Sequence, residues 1–196
     1  MKWAIDQGIA DPDKVCIYGG SYGGYATLVG VTMTPDLYAC GVDIVGPSNI
    51  QTLFASIPPY WAPLKSEFLM RVGDVENDPE LNRKISPLFH ADKIKVPLII
   101  AQGANDPRVN IKEADQMVAA MRENGLEVDY VVYTDEGHGF ARPVNRLDFY
   151  GRVDEFLGKQ LYFGSDFWDH FSLLRGGKFL DGLNGGHVIL GISVWA

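Results

Sequence analysis

Lys14-Val15-Cys16-Ile17-Tyr18-Gly19-Gly20-Ser21-Tyr22-Gly23 couples a short, nearly continuous apolar run to a cluster of glycines around one serine. Apolar runs of about four to eight residues, bounded by turn residues, read as strands buried on both faces of a parallel sheet. Ser21 to Met33 then carries a helical pattern, stopped at Thr34-Pro35 because the residue before a proline is driven out of helical geometry. The pattern G-x-S-x-G thus falls between a predicted strand and a predicted helix, where a sharp turn exposes a serine hydroxyl at the strand's carboxyl end. Glycine lets the flanking backbones approach closely. The following helix N-terminus offers N–H groups and a positive dipole to a developing oxyanion. A tight turn or a phosphate-cradling loop is the plainer alternative.

The same alternation continues along the chain. Cys40-Gly41-Val42-Asp43-Ile44-Val45-Gly46, Val96-Pro97-Leu98-Ile99-Ile100-Ala101 and Val128-Asp129-Tyr130-Val131-Val132-Tyr133 are predicted as further buried strands. Helical patterns cover Lys112 to Asn124, stopped by Gly125, and Leu147 to Leu161. Strand-helix alternation implies an α/β fold, a mostly parallel sheet of about four core strands with flanking helices and right-handed crossovers. Residues 48–92 interrupt it with an aromatic, proline-rich and then charged stretch, expected to be an excursion with its own helices.

Composition narrows the function. At 196 residues with 46% hydrophobic content, the chain is long enough for one well-packed domain. A net charge of −8 argues against a nucleic-acid binder. No apolar run has the length of a membrane span, and with no hydrophobic region before Asp6 no signal segment is expected. With two cysteines no disulfide framework is expected, and a cytoplasmic location is. Neither H-e-x-x-H nor C-x-x-C spacing occurs, so no metal and no cofactor are expected. Cys16 and Cys40 read as buried apolar thiols.

A serine nucleophile needs a base, and the base an orienting acid, both at the carboxyl ends of later strands. After the third predicted strand comes Gly103-Ala104-Asn105-Asp106-Pro107-Arg108; after the fourth comes Asp135-Glu136-Gly137-His138-Gly139-Phe140. Asp106 alone is ordinary turn chemistry, and His138 alone an ordinary loop histidine. Together, in the order Ser21, Asp106, His138, they match the chain order of α/β-hydrolases. Asp135 and Glu136 stand too near His138 in sequence to reach its far ring nitrogen. Asp43 lies inside a strand, and His90, His170 and His187 have no strand-end context.

With Gly24-Tyr25 after the nucleophile turn, Asp106-Pro107-Arg108-Val109 and Asp11-Pro12-Asp13-Lys14-Val15, these motifs make residues 3–164 resemble the catalytic domain of the prolyl oligopeptidase family, its acylaminoacyl peptidase and dipeptidyl peptidase members above all. The resemblance implies Ser21 as nucleophile, His138 as general base and then acid, Asp106 as its orienter, and the Tyr22 N–H as an oxyanion donor. It implies that Arg108 contacts the substrate peptide and that Val109 lines the pocket beside the nucleophile. The aromatic excursion (Phe54, Tyr60, Trp61, Phe68) is either core packing or, in part, the wall of an apolar pocket, with Trp61 and Phe54 as its candidates.

Against that family, the chain begins one helix before the nucleophile strand, so the propeller, the first four strands and the loop with a second oxyanion donor are expected to be lacking. Residues 1–164 are expected to be the C-terminal portion of a hydrolase domain, and residues 165–196 an atypical tail. The open edge at Val15–Tyr18 invites pairing, by another copy in a homo-oligomer or by the strand-like Val188–Val194. The implied activity is a serine peptidase or esterase acting on small esters or short acylated peptides. The alternatives are a silent, self-associating fragment and an acyl-group binding module.

Overall fold

The computed structural model describes residues 1–163 and 188–193. Its center is a parallel sheet in the order β4-β3-β2-β1-β5, from β1 (Val15–Gly20), β2 (Cys40–Ile44), β3 (Leu98–Gly103), β4 (Asp129–Tyr133) and β5 (Val188–Ser193). Of these, β1, β2 and β3 are almost wholly buried, as unbroken apolar runs require when both faces are covered. The fourth run departs from that expectation. β4 closes one edge, and its first four residues are exposed or half-buried. Each strand also starts or stops a residue or two from its apolar run: Val96-Pro97 precede β3, since a proline has no N–H for the ladder.

Helices cover the two faces. One layer packs Leu28 and Val31 of α2 (Tyr22–Met33) with Ala114, Met117, Val118 and Met121 of α6 (Lys112–Glu123) against Ile17, Leu98 and Ile100. The other sets Phe149, Val153 and Phe156 of α7 (Pro143–Leu157) against Cys16, Cys40, Val42, Ile99 and Ala101. Cys16 and Cys40 are register partners on neighbouring strands, free and buried. Helix α7 starts four residues before the predicted one because Pro143 takes the first position, where a missing N–H costs nothing.

The excursion holds α3 (Ile50–Ala55), α4 (Lys65–Val72) and α5 (Pro79–Ile85) around its own small core of Ile50, Phe54 and Val75. Ahead of β1 lies the short α1 (Lys2–Asp6). Strand β5 runs parallel to β1 from Val15↔Val188 to Gly20↔Ser193, so the edge expected to be open is occupied within the chain. The boundary expected at Gly164, and His170 and His187, lie outside the described residues. Among those described, no helix is long and apolar enough to cross a membrane.

Candidate active site

Ser21 sits between β1 and α2 with φ 59° and ψ −118°, a conformation that side chains other than glycine rarely adopt. Its N–H is held by the Ile44 carbonyl at 2.8 Å, and its own carbonyl accepts the Tyr25 N–H at 3.0 Å. Such strain, of order 1–3 kcal/mol, persists only where the surroundings fix it. The glycines explain how the turn closes: a Cβ on Gly19 would stand 2.1 Å from the Gly23 carbonyl oxygen. The first N–H groups of α2, beginning with Tyr22, have no intrahelical acceptor and lie beside the serine.

The acid and base loops arrive from β3 and β4. Asn105 and Ala104 donate N–H bonds to the Glu136 and Tyr133 carbonyls at 2.9 and 3.0 Å, tying one loop to the other. Gly103 makes the approach possible, since a Cβ there would meet the Gly137 oxygen at 2.1 Å. Asp106 is buried. Its Oδ1 accepts the N–H groups of Arg108 (2.8 Å) and Val109 (2.9 Å), while Oδ2 lies 2.8 Å from His138 Nδ1 and 3.3 Å from Gln102 Nε2. Every partner of this carboxylate is a donor, so His138 Nδ1 carries its proton toward Asp106. Nε2 is left to accept the Ser21 hydroxyl, 2.8 Å away.

His138 is held from outside as well. Phe140, two residues on, packs edge-to-face between Tyr133 of β4 and Phe149 of α7, with ring centroids 4.7 and 5.0 Å away. Glu136 turns away from the imidazole and accepts the N–H groups of Ala141 (2.9 Å) and Arg142 (2.8 Å) and the Asn145 amide (2.9 Å). Burial opposes its charge, but the Asn145 amide and the two N–H groups outweigh that and hold the carboxyl below its ordinary range.

The remaining candidates separate. Trp61 is half-buried, and the Arg108 guanidinium stands 5.9 Å above its ring. Phe54 is buried among Ile50 and Val75 and is linked to Trp61 through Phe68, at centroid distances of 6.2 and 5.9 Å. Val109 is buried too, and its N–H supports Asp106. Tyr25, one helical turn after Ser21, donates its hydroxyl to the Ile85 carbonyl at 2.8 Å, and burial pushes its pKa up to about 12.

Among the buried polar groups, Gln102 and Glu113 escaped the sequence, and Asp43 was set aside there as a strand residue. Gln102 sits beneath Asp106, and Glu113 holds the start of α3. Asp43, one strand over from the serine, is 1% exposed with neither carboxyl oxygen in a hydrogen bond, and burial pushes its pKa up to about 8. Only Asp43 left a signal, as an acid inside an otherwise apolar strand.

A parallel α/β sheet with a serine on the strand–helix turn, and an acid and a base at the next two strand ends, is the arrangement of the α/β-hydrolases. Residues 1–163 match the prolyl oligopeptidase family, and the chain belongs to it. It is 52% identical over 163 residues to dipeptidyl aminopeptidase BIII of Pseudoxanthomonas mexicana, covering 82% of this chain and 24% of that one. It is 46% identical over 160 residues to dipeptidyl peptidase family member 6 of Caenorhabditis elegans, covering 80% and 22%. Among solved structures, a Mycobacterium tuberculosis puromycin-hydrolyzing peptidase superposes with a TM-score of 0.76 at 28% identity, over 83% of this chain and 24% of that one. The acylaminoacyl peptidase of Pyrococcus horikoshii gives 0.72 at 27%, over 82% and 26%. The chain thus spans about a quarter of the length of these relatives.

Proposed function

We propose that the chain is a serine hydrolase that cleaves ester or peptide bonds of small acylated substrates through an acyl-enzyme on Ser21. The observation that carries this reading is the unbroken hydrogen-bond path Ser21–His138–Asp106, at 2.8 Å in both links. Membership in a peptidase family supports it.

The chemistry follows from the geometry. As Ser21 Oγ attacks the carbonyl carbon, its proton passes to His138 Nε2, and Asp106 stabilises the imidazolium so formed. The carbonyl π electrons move to oxygen, and the oxyanion faces the Tyr22 N–H at the positive end of α2. Collapse expels the alcohol or amine, which takes the proton from Nε2. Water then attacks the acyl-enzyme, giving its proton to Nε2, and collapse of the second tetrahedral intermediate frees the acid and returns Ser21. In this reading Arg108, above Trp61, meets a substrate carbonyl or carboxylate, and the aromatic cluster takes an apolar side chain. Esters should turn over faster than amides, because the poorer leaving group depends more heavily on oxyanion stabilisation.

The test is hydrolysis of a p-nitrophenyl ester and of an acyl-amino-acid anilide by the wild type and by Ser21→Ala. The proposal expects ester turnover that falls by several orders of magnitude in the variant. Equal rates would contradict it and leave the silent fragment or the acyl-binding module.

A further inference from the structure

Glu113 lies on the first turn of α6, four residues beyond Val109, and is 2% exposed. Its carboxylate does nothing for the triad. Oε2 accepts the N–H groups of Ser48 (3.0 Å) and Asn49 (2.9 Å) and the Gln116 amide (2.9 Å), while Oε1 accepts the Thr52 hydroxyl. The Ser48 hydroxyl donates to the Glu113 main-chain oxygen at 2.7 Å. The next two N–H groups, of Ile50 and Gln51, go to Ser86 Oγ and Asn82 Oδ1, both at 3.0 Å. The backbone that opens the excursion therefore hangs on one buried carboxylate from the helix that follows the acid loop.

Two walls of the site meet there. From Ser48–Thr52 the chain enters α3, whose Phe54 packs on Phe68, which packs on Trp61. On the other side, Asp106 fixes Arg108 through its N–H, and Arg108 lies over Trp61. A buried carboxylate surrounded by donors costs much desolvation unless every bond is made, so it has essentially one low-energy placement. That is a rigid reference between the aromatic wall and the arginine.

We propose that Glu113 is a positioning residue for substrate selection: it sets the spacing of the Phe54–Phe68–Trp61 wall relative to Arg108, and thereby the affinity for substrates with a bulky apolar group beside the cleaved bond. The proposal rests on the hydrolase reading, and its test separates the two. Glu113→Ala takes the carboxylate away from four donors, leaves the Ser48 and Asn49 N–H groups with no other acceptor, and frees the wall. Glu113→Asp keeps the charge but withdraws it by one methylene. Glu113→Gln keeps the length, and its amide nitrogen, placed at the Oε1 position, can donate to Thr52 Oγ.

Two substrates are compared, p-nitrophenyl acetate and an N-blocked phenylalanine p-nitroanilide. In parallel, binding of N-blocked phenylalanine acid is measured by calorimetry on a Ser21→Ala background, which needs no turnover. Glu113→Ala and Glu113→Asp are expected to raise KM for the anilide and Kd for the acid about tenfold or more, with kcat changed about twofold at most. Acetate turnover should be nearly unaffected, and Glu113→Gln should recover most of the loss. Unchanged Kd and KM in folded Glu113→Asp, or equal falls in kcat on both substrates, would overturn the proposal. An inactive wild type that still shows the Kd shift overturns the hydrolase reading and upholds the positioning role; folding of each variant is read from its thermal melt.

Discussion

Replacing Asp43 by asparagine should make the protein's stability less dependent on pH, in a way calculable from its surroundings. The carboxyl is 1% exposed, has no hydrogen-bond partner, and is packed so tightly that a Cβ on Gly24 or Gly46 would stand 2.2 Å from its Oδ1. Burial raises its pKa to about 8, and the nearby Gly46 N–H, outside hydrogen-bond geometry, offsets only a part of that. In the unfolded chain the value is about 3.9. Between those limits the unfolded state is ionised and the native state is not, so folding takes up a proton. Stability is lost as pH rises, by up to about 1.4 kcal/mol per unit. From pH 5 to pH 8 that amounts to about 4 kcal/mol, which Asp43→Asn abolishes. The offset from the amide itself is the same at every pH, so the signal is the slope. Thermal melts of both proteins at half-unit intervals should show the variant gaining steadily on the wild type, by roughly 10 °C in Tm across this range for a chain of this size. Parallel stability curves from pH 5 to pH 8 would show that Asp43 is solvated or paired in the native state and refute the argument.

Gly103→Ala pushes a methyl toward the Gly137 oxygen, 2.1 Å from the ideal Cβ, and shifts the base loop; ester kcat should fall about a hundredfold with Ser21 still in place, as turnover assays would show. Asp106→Asn should cost about 10⁴ in kcat by favouring the wrong imidazole tautomer, with the melting curve little changed. Glu136 is held below its ordinary range, so its contribution is present at neutral pH and is lost as pH falls through that depressed value. Glu136→Gln should remove this acid-side loss and speed hydrogen exchange at the Ala141 and Arg142 amides, whereas unchanged protection there would contradict the role given to it. Deleting residues 188–196 uncovers the β1 edge, and light scattering should then show concentration-dependent association, which a strictly monomeric variant would disprove.

The architecture was legible wherever local pattern and tertiary setting agree. β1, β2 and β3 are covered on both faces, so their unbroken apolar runs stood out, and β4 differed because an edge strand with one open side need not be apolar throughout. Ser21, Asp106 and His138 could be placed because each follows a strand, and strand ends of a parallel sheet lie together. What the pattern did not carry were contacts between segments far apart in sequence. Glu113 reads as a common first-turn acid on an amphipathic helix, yet it meets Ser48 and Asn49 some 65 residues away. Gln102 directly follows the third apolar run, with nothing in the pattern to mark it, and proves to lie under Asp106. Phe54 and Trp61 looked alike in an aromatic stretch, but packing sets the first in the excursion's core and the second beneath Arg108.

The central claim is that Ser21 is a nucleophile activated by His138, and active-site labelling addresses it without assuming a substrate. Wild type, Ser21→Ala and His138→Gln are each treated with a fluorophosphonate, and the adduct is located by peptide mass spectrometry. The account predicts one stoichiometric adduct on Ser21 in the wild type, none in Ser21→Ala, and labelling slowed by orders of magnitude in His138→Gln. A wild type that remains unlabelled at Ser21, or a His138→Gln variant labelled at the wild-type rate, would contradict it.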